Sequence, residues 1–343
     1  CVLLLFRRSL FRGPPRTPPL SPPPVGGAHR GATAPSAPNA PEEKKPESRQ
    51  GPGTRIKRTR TEAQPLTEAQ KKFVARTIEQ YVDATKASKA YVEANRATLA
   101  DPRTVSGFSP EWKEMVYPIV TDRSRGSRIT DIDGRDYIDI TNGFGPILFG
   151  HSPDFITEAV VEQIKAGIET GPQSPLAGEV AQLCAELTGN ERIAFASTGS
   201  EAVCCALRLA RTVTGRSKVV VFEGSYHGIF DEVVVRPGKG GAGLPAAPGI
   251  PREMTANIVV LPWGTDEALE RIREMAGELA AVMVEPVQSR NPAVQPTEVL
   301  KTIREITEDS GTAFIFDEIV TGFRVAPGGA QAHFGIRADL ATY

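Results

Sequence analysis

Apolar and polar positions change their period near Pro175. From there to the end of the sequence, short apolar runs alternate with stretches in which apolar residues recur every three or four positions. The first pattern predicts buried β-strands and the second predicts amphipathic helices. The predicted strands are Arg192–Ala196, Lys218–Phe222, Ile258–Leu261, Ala280–Val284 and Ala313–Phe316, and the predicted helices are Ala202–Val213, Asp266–Leu279 and Thr297–Asp309. This alternation predicts an α/β domain over residues 175–343, with a mostly parallel sheet and right-handed crossovers.

Residues 66–174 follow other patterns. Thr67-Glu68-Ala69-Gln70 has the residues of a capping box, which predicts the start of a helix at Thr67. From Arg128 to Ile140 apolar and polar residues alternate around Asp133-Gly134, which predicts a β-hairpin. We therefore expect an N-terminal helix, an entry segment and a hairpin in this part of the chain.

Residues 1–65 are rich in Pro, Gly, Ala, Ser and Arg and lack a period that could bury one face, so we expect a disordered linker. Its basic residues far outnumber its acids. No aromatic residue that could stack on a base interrupts Arg55–Arg60, which disfavours a nucleic-acid partner. Val2–Phe6 is short, and Arg7-Arg8 lies on the wrong side of it for a secretory signal.

Composition narrows the class of protein further. The 343 residues carry a net charge of -1 and are 40% hydrophobic, enough for a substantial core. No apolar run approaches the roughly 20 residues of a membrane span, so no membrane partner is expected. The cysteines have no metal-ligand spacing and no disulfide framework, which favours a reducing cytoplasm and no metal. The chain begins with Cys1 and ends at Tyr343 in mid-pattern, so both ends are expected to be cut.

Acidic residues follow two of the predicted strands. Asp317 comes directly after Ala313–Phe316, and Glu285 follows Ala280–Val284. Ligands of parallel sheets bind outside the carboxyl ends of the strands. A buried carboxylate there needs a cation or strong donor, such as a protonated pyridine nitrogen. Capping of the next turn explains Asp317 about equally well.

Two other strand ends add complementary groups. Gly199 and Ser200 open a predicted helix, where free amides and the positive end of the helix dipole suit a single phosphate. A simple N-cap explains that turn about as well. Tyr226 and His227 follow the next strand, and a tyrosine ring can stack on a flat heterocycle. Such a pair alone is more often ordinary surface, but four strand ends with complementary groups favour one site.

The motifs Ser197–Ala202, Ser225–Gly228, Val284–Gln288 and Phe316–Arg324, in this order and spacing, resemble the class III pyridoxal-phosphate-dependent aminotransferases of fold type I, in particular the glutamate-1-semialdehyde aminomutase-like branch. The resemblance runs from about Ser88 to Tyr343. Three further segments resemble aminotransferase domains of hybrid polyketide and nonribosomal peptide synthases: Glu114–Val120, Gly143–His151 and Asp339–Tyr343. The resemblance implies a fold type I PLP-dependent transferase, mostly parallel with flanking helices and truncated before the C-terminal small domain.

The same resemblance implies roles for individual residues. Gly199 and Ser200 would hold the phosphate of pyridoxal 5'-phosphate, while Tyr226 and Ile319 would cover the two faces of its ring. Asp317 would pair with the ring nitrogen, which makes Asp317 and Tyr226 the implied catalytic residues.

The resemblance also implies two more cofactor-binding residues and a Schiff-base lysine that this sequence lacks. Glu285 matches the acid near the phenolic side of the ring, and His227 matches its usual neighbour. The family's Schiff-base lysine is absent, because no lysine follows Lys301. That residue is the nucleophile of the reaction, so we expect an enzyme as parent protein and an inactive fragment here.

The implied reaction moves an amino group between an amino donor and a carbonyl acceptor. A β-keto acyl chain on an acyl or peptidyl carrier domain is one candidate acceptor. A glutamate-1-semialdehyde-type aminomutase and a non-catalytic cofactor-binding scaffold are the alternatives. The resemblance also implies a homodimer with the site at the subunit interface.

Overall fold

The computed structural model describes residues 2–6, 66–101, 109–168 and 171–343, with only the backbone of residues 2–6. The strands are β1 (Val2–Phe6), β2 (Thr121–Arg125), β3 (Arg128–Asp131), β4 (Asp136–Ile138), β5 (Arg192–Ala196), β6 (Lys218–Phe222), β7 (Val235–Pro237), β8 (Gly243–Pro245), β9 (Ile258–Leu261), β10 (Leu279–Val284), β11 (Ala313–Asp317) and β12 (Leu340–Thr342). The α-helices are α1 (Glu68–Ala84), α2 (Lys86–Asn95), α3 (Asp154–Ala166), α4 (Pro175–Thr188), α5 (Gly199–Thr214), α6 (Arg252–Thr255), α7 (Asp266–Met275), α8 (Thr297–Ser310) and α9 (Gly329–Phe334).

The described residues form a central sheet of seven strands in the order β5-β1-β12-β11-β10-β6-β9. Neighbouring strands from β12 to β9 pair in parallel, whereas β1 is antiparallel to both β5 and β12. Six of these strands therefore point the same way, and their carboxyl ends share one edge. The predicted mostly parallel sheet is confirmed.

Helices cover the two faces of this sheet because its central strands are apolar on both sides. Every residue of β10 and β11 is buried. One face packs against α7 and α8 through residues such as Ile272 and Ile303, which contact Phe314 and its neighbours in one core cluster. The other face packs against the Ala202, Val203, Ala206, Leu207 and Ala210 stripe of α5. The core thus lies within residues 175–343.

The N-terminal region builds a smaller layer. Strands β3 and β4 pair antiparallel, as the Asp133-Gly134 pattern predicts. Asp133 at the hairpin tip accepts from the backbone amides of Ala87 (2.6 Å) and Ser88 (2.9 Å) at the start of α2. Desolvation opposes the charge of Asp133, but these bonds lower the pKa of its carboxyl overall. The hairpin tip thereby caps a helix 45 residues earlier in the chain.

Differences from the predictions occur at element ends and at β1. The expected linker over residues 1–65 contains the strand Val2–Phe6, because backbone donors and acceptors on β5 and β12 pair with an extended segment between them. The rest of that segment lies outside the described residues. Helix α5 begins at Gly199, three residues before the predicted start, because Thr198 and Glu201 form a capping box.

The helices and the cysteines can be compared with the expectations of no membrane span and no disulfide. Within the parts of the chain that the structure describes, no helix has both the length and the apolar character needed to cross a bilayer. Cys184, Cys204 and Cys205 are free. Cys184 is buried, and this burial raises the pKa of its thiol, which makes it a weak nucleophile.

Candidate active site

The carboxyl end of β11 presents Asp317 next to His227 from the loop after β6. The Oδ2 atom of Asp317 lies 2.7 Å from Nδ1 of His227, and both side chains are buried. A carboxylate has only acceptors, so Nδ1–H is the donor. Among the described residues, His227 Nε2 has no hydrogen-bond partner although it is buried. An unpartnered buried nitrogen is costly, so Nε2 keeps one hydrogen-bonding position that is open to a further partner.

The other oxygen of Asp317 is held from two sides. Its Oδ1 accepts from the hydroxyl of Thr342 (3.2 Å) and from the backbone amide of Ile319 (3.3 Å). Thr342 lies opposite Asp317 in the register of β11 and β12. The sequence prediction missed Thr342, which is 25 residues away from Asp317. A prediction that Leu340–Thr342 forms a short strand paired with β11 would have placed Thr342 opposite Asp317.

The turn before α5 leaves amide groups free. Thr198 accepts from the Glu201 amide (3.2 Å), and Glu201 accepts from the amide of Thr198 in return (3.2 Å). The amides of Gly199 and Ser200 have no acceptor within the described residues, as expected for the first turn of a helix. These groups and the helix dipole favour an anion at this place.

Close packing brings this turn to the other site residues. A Cβ atom on Gly228, whose φ is +114°, would lie 2.5 Å from Ser200 Oγ. That hydroxyl accepts from the amide of Ile229 at 3.2 Å. A Cβ atom on Gly199 would lie 3.1 Å from Cδ1 of Ile319. The turn before α5 is therefore in direct contact with the loop after β6 and with the segment after β11.

Tyr226 and Glu285 form the third part of this edge. Glu285 is buried, and its Oε2 accepts from the Tyr226 amide at 2.8 Å while its Oε1 accepts from the Ser289 amide at 3.3 Å. The Tyr226 ring is 52% exposed, and the guanidinium of Arg290 lies 6.0 Å from the ring centroid. Glu285 thus fixes the backbone that presents an accessible aromatic ring.

Glu318, directly after Asp317, was not predicted as a site residue. It is fully buried and accepts from Thr321 Oγ1 (2.9 Å), the amides of Ala330 (2.5 Å) and Gln331 (3.0 Å), and the hydroxyl of Tyr343 (3.4 Å). Desolvation raises the pKa of its carboxyl, although these hydrogen bonds act in the opposite direction. Glu318 ties the end of β11 to α9 and supports the position of Asp317.

Arg324 connects the glycine-rich segment before α3 with the site. Its Nε donates to the carbonyl of Gly145 at 3.2 Å, and its Nη1 donates to the carbonyls of Ile319 (3.2 Å) and Gly322 (2.8 Å). A Cβ atom on Gly145, whose φ is +113°, would collide with this guanidinium. Burial lowers the pKa of Arg324. The backbone at Gly145 is thus in direct contact with this side chain.

Known proteins are similar to this chain over most of its length. The family Aminotransferase class-III matches residues 108–343. The glutamate-1-semialdehyde 2,1-aminomutase of Methanosphaera stadtmanae is 43% identical over 235 residues, which are 66% of this chain and 54% of that protein. The protein of the same name from Aquifex aeolicus is 41% identical over 228 residues, 65% of this chain and 54% of the relative. The chain spans about half the length of these relatives.

Solved structures show the same fold. An omega-transaminase from Sphaerobacter thermophilus superposes with a TM-score of 0.68 at 30% identity, covering 74% of this chain and 60% of that one. A structure described as a transaminase with PLP bound gives a TM-score of 0.67 at 32% identity, covering 75% and 60% of the two chains. A glutamate-1-semialdehyde aminomutase from Pseudomonas aeruginosa PAO1, at 24% identity and a TM-score of 0.66, covers 80% of this chain and 60% of its own and supports the fold alone.

The groups at the carboxyl edge fit pyridoxal phosphate, the cofactor of this family. Its phosphate matches the free amides at the start of α5, its flat ring matches the accessible face of Tyr226, and its pyridine nitrogen matches the buried carboxylate of Asp317. The His227 ring bonds that carboxylate through Nδ1, and its Nε2 has no partner among the described residues. With its family match and its fold type I sheet, the chain belongs to the class-III aminotransferases.

Proposed function

We propose that the parent protein is an enzyme that transfers an amino group between an amino donor and a carbonyl acceptor, with pyridoxal phosphate as its cofactor. The observation that carries this proposal is the buried Asp317–His227 pair, which lies at a carboxyl strand end beside the anion-type turn of α5. A buried carboxylate with room for another donor suits a pyridine nitrogen. Family membership supports the same chemistry.

Each cofactor group has a proposed partner. The amides of Gly199 and Ser200 hold the phosphate, and Tyr226 and Ile319 lie on the two faces of the ring. Asp317 accepts a hydrogen bond from the protonated ring nitrogen. This proposal is supported by the close approach of Ile319 to Gly199, where a Cβ atom would lie 3.1 Å from Ile319 Cδ1. When bound, the cofactor supplies an electron sink for the substrate Cα.

The remaining two residues act by positioning in this proposal. His227 donates to Asp317 and holds the carboxylate in a fixed direction. Glu285 holds the Tyr226 backbone and lies near the phenolic side of the ring. A preorganised negative charge beside the ring nitrogen favours the protonated pyridine, and a protonated pyridine withdraws electrons more strongly.

One residue that the family reaction requires is not among residues 302–343. The lysine that the family links to its cofactor has no counterpart after Lys301, which itself pairs with Glu298 on α8 at 2.8 Å. We therefore propose that the 343 residues alone bind cofactor without turnover. On this view the chain by itself is the cofactor-binding scaffold, and the parent protein is the enzyme.

The proposal extends to substrates and partners. The resemblance of the segments around Glu114, Gly143 and Asp339 to aminotransferase domains of hybrid polyketide and nonribosomal peptide synthases favours a β-keto acyl chain on a carrier domain as acceptor. The relatives named glutamate-1-semialdehyde 2,1-aminomutase favour the alternative, an exchange within one substrate. A requirement for a separate amino donor distinguishes the two. We also propose a cytoplasmic location, in keeping with three free thiols.

A homodimer is part of the same proposal. Large apolar side chains on α3 and α4 are exposed, among them Phe155 (61%), Ile164 (57%) and Leu183 (57%). Apolar patches of this kind mark protein–protein contacts. The resemblance implies a second copy of the chain as the partner, with the site at the interface.

Asp317→Asn in the full-length protein tests the proposed reaction. The amide is nearly the same size but cannot carry the negative charge, so we expect the transamination rate to fall by at least about 100-fold. Asp266→Asn on the exposed first turn of α7 is the matched control and leaves the rate unchanged. The unfolding midpoint of each variant shows that the fold is kept. A rate for Asp317→Asn within a few-fold of the parent means that Asp317 only caps its turn.

A further inference from the structure

We propose that Thr342 is a positioning residue for the cofactor's ring nitrogen: its hydroxyl occupies Asp317 Oδ1 and leaves Oδ2 as the oxygen that receives the ring N–H. The inference rests on the proposed function and adds a residue and an atom to it. The Thr342 hydroxyl donates to Asp317, and through that bond Thr342 acts on the ring nitrogen.

The acceptor positions of Asp317 support the assignment of the two oxygens. An ionised carboxylate has about four lone-pair sites, two on each oxygen. Oδ1 already accepts from Thr342 and from the Ile319 amide, so both of its sites are used. Oδ2 accepts only from His227 within the described residues. The one remaining acceptor position of the pair therefore belongs to Oδ2.

The fold makes Thr342 well suited to this role. It is fully buried on β12, directly opposite Asp317 in the strand register. Its own carbonyl accepts from the amide of Glu318 at 2.8 Å, so its backbone is tied to the residue after Asp317. A β-branched side chain has few rotamers, which keeps the hydroxyl in place. Without this hydroxyl, Oδ1 retains only the 3.3 Å bond from the Ile319 amide, so that side of the carboxylate is held by one donor instead of two.

The test removes the hydroxyl and, separately, the ring nitrogen. Thr342→Val keeps the shape of the side chain and deletes the donor, whereas Thr342→Ser keeps the donor. Thr307→Val is the matched control, because Thr307 is also buried but donates to the Arg304 carbonyl within α8. The affinity of the full-length apoprotein is measured for pyridoxal phosphate and for the carbocyclic analogue in which CH replaces the ring nitrogen.

We expect Thr342→Val to weaken pyridoxal phosphate binding about tenfold, as for the loss of a hydrogen bond to a charged group. Binding of the carbocyclic analogue should not change, because Asp317 has no ring N–H to receive. Thr342→Ser should restore most of the affinity, and Thr307→Val should change neither ligand.

Two results would overturn the inference while leaving the proposed function intact. Equal losses for both ligands would show that Thr342 only maintains the shape of the site. Unchanged affinity of Thr342→Val for pyridoxal phosphate would show that Asp317 is held without it. Failure of the parent protein to bind either ligand would instead refute the proposed function, and the inference with it.

Discussion

The sheet domain over residues 175–343 and the N-terminal layer over residues 66–168 contain similar apolar side chains but place them differently. Every residue of β10 and β11 is buried between two helical layers. In contrast, α1 and α3 have no buried residue, and Phe155 on α3 is 61% exposed. The sheet domain therefore supplies its own core, whereas the N-terminal layer has apolar faces that only a further surface can cover.

The same contrast holds for two adjacent acids in the sheet domain. Glu318 has four donors from its own chain, two on each carboxylate oxygen. Asp317 keeps one acceptor position on Oδ2, next to an imidazole with an unpartnered nitrogen. Glu318 thus has no acceptor position left for a ligand, whereas Asp317 and His227 keep positions that an added group can use.

The largest expected effect comes from truncating a phenylalanine in the sheet core. Phe314→Ala removes a fully buried ring from β11 and leaves a cavity, so we expect a loss of about 3–5 kcal/mol in unfolding free energy. Phe155→Ala, the same change on α3, should cost less than about 0.5 kcal/mol, as for other exposed positions. Denaturant unfolding of the 343-residue chain measures both. Equal losses would show that α3 is as well packed as β11 and would remove the contrast.

Glu318→Gln is the next largest. The amide replaces one acceptor oxygen by a donor, so buried donors among Thr321, Ala330, Gln331 and Tyr343 lose their partner. Unsatisfied buried groups cost about 1–3 kcal/mol each, and we expect a loss of about 2–4 kcal/mol at neutral pH. Glu308→Gln, on the exposed side of α8, is the control and should change little.

The pH dependence of the parent provides a second measurement on Glu318. Burial raises the pKa of its carboxyl in the folded state. Between the unfolded value of about 4.3 and this raised value, the folded state binds more protons than the unfolded one. The contribution of Glu318 to stability therefore falls as pH rises through that interval, and Glu318→Gln should remove this fall. A variant with the pH profile of the parent would show that other groups produce it.

The pattern of apolar and polar residues predicted much of this fold, because in the sheet domain each strand has its own apolar run. Strands β5, β6 and β9 begin and end at the predicted residues, since each is a short apolar run between clear breaks. The location of Asp317 at a carboxyl strand end follows from the same pattern. The strand at Val2–Phe6 was not predicted. Its pairing depends on the distant strands β5 and β12 rather than on its own residues.

The hydrogen-bond partners within the site could not be predicted from the local sequence pattern either. The contact of Thr342 with Asp317 depends on strand register, and the four donors to Glu318 come from the turn after β11, α9 and the last residue of the chain. A single acid-after-strand motif does not distinguish Asp317 from Glu318. Only the number of donors that the fold brings to each carboxylate separates the open acid from the closed one.

The smallest expected effect on unfolding is at Ile164 on α3, which is 57% exposed. Ile164→Gln should change the unfolding free energy by less than about 0.5 kcal/mol, because the side chain has little contact to lose. If α3 lies in the proposed homodimer interface, the same variant should weaken self-association of the full-length protein about tenfold, since truncation of an interface anchor costs more than about 1 kcal/mol. Glu162→Gln is the control, because it introduces the same residue at another exposed position of this helix. Sedimentation velocity over a dilution series measures the association. Dimerisation equal to that of the parent would place the interface elsewhere, whereas a large loss of unfolding free energy would show that α3 belongs to the core of its own subunit.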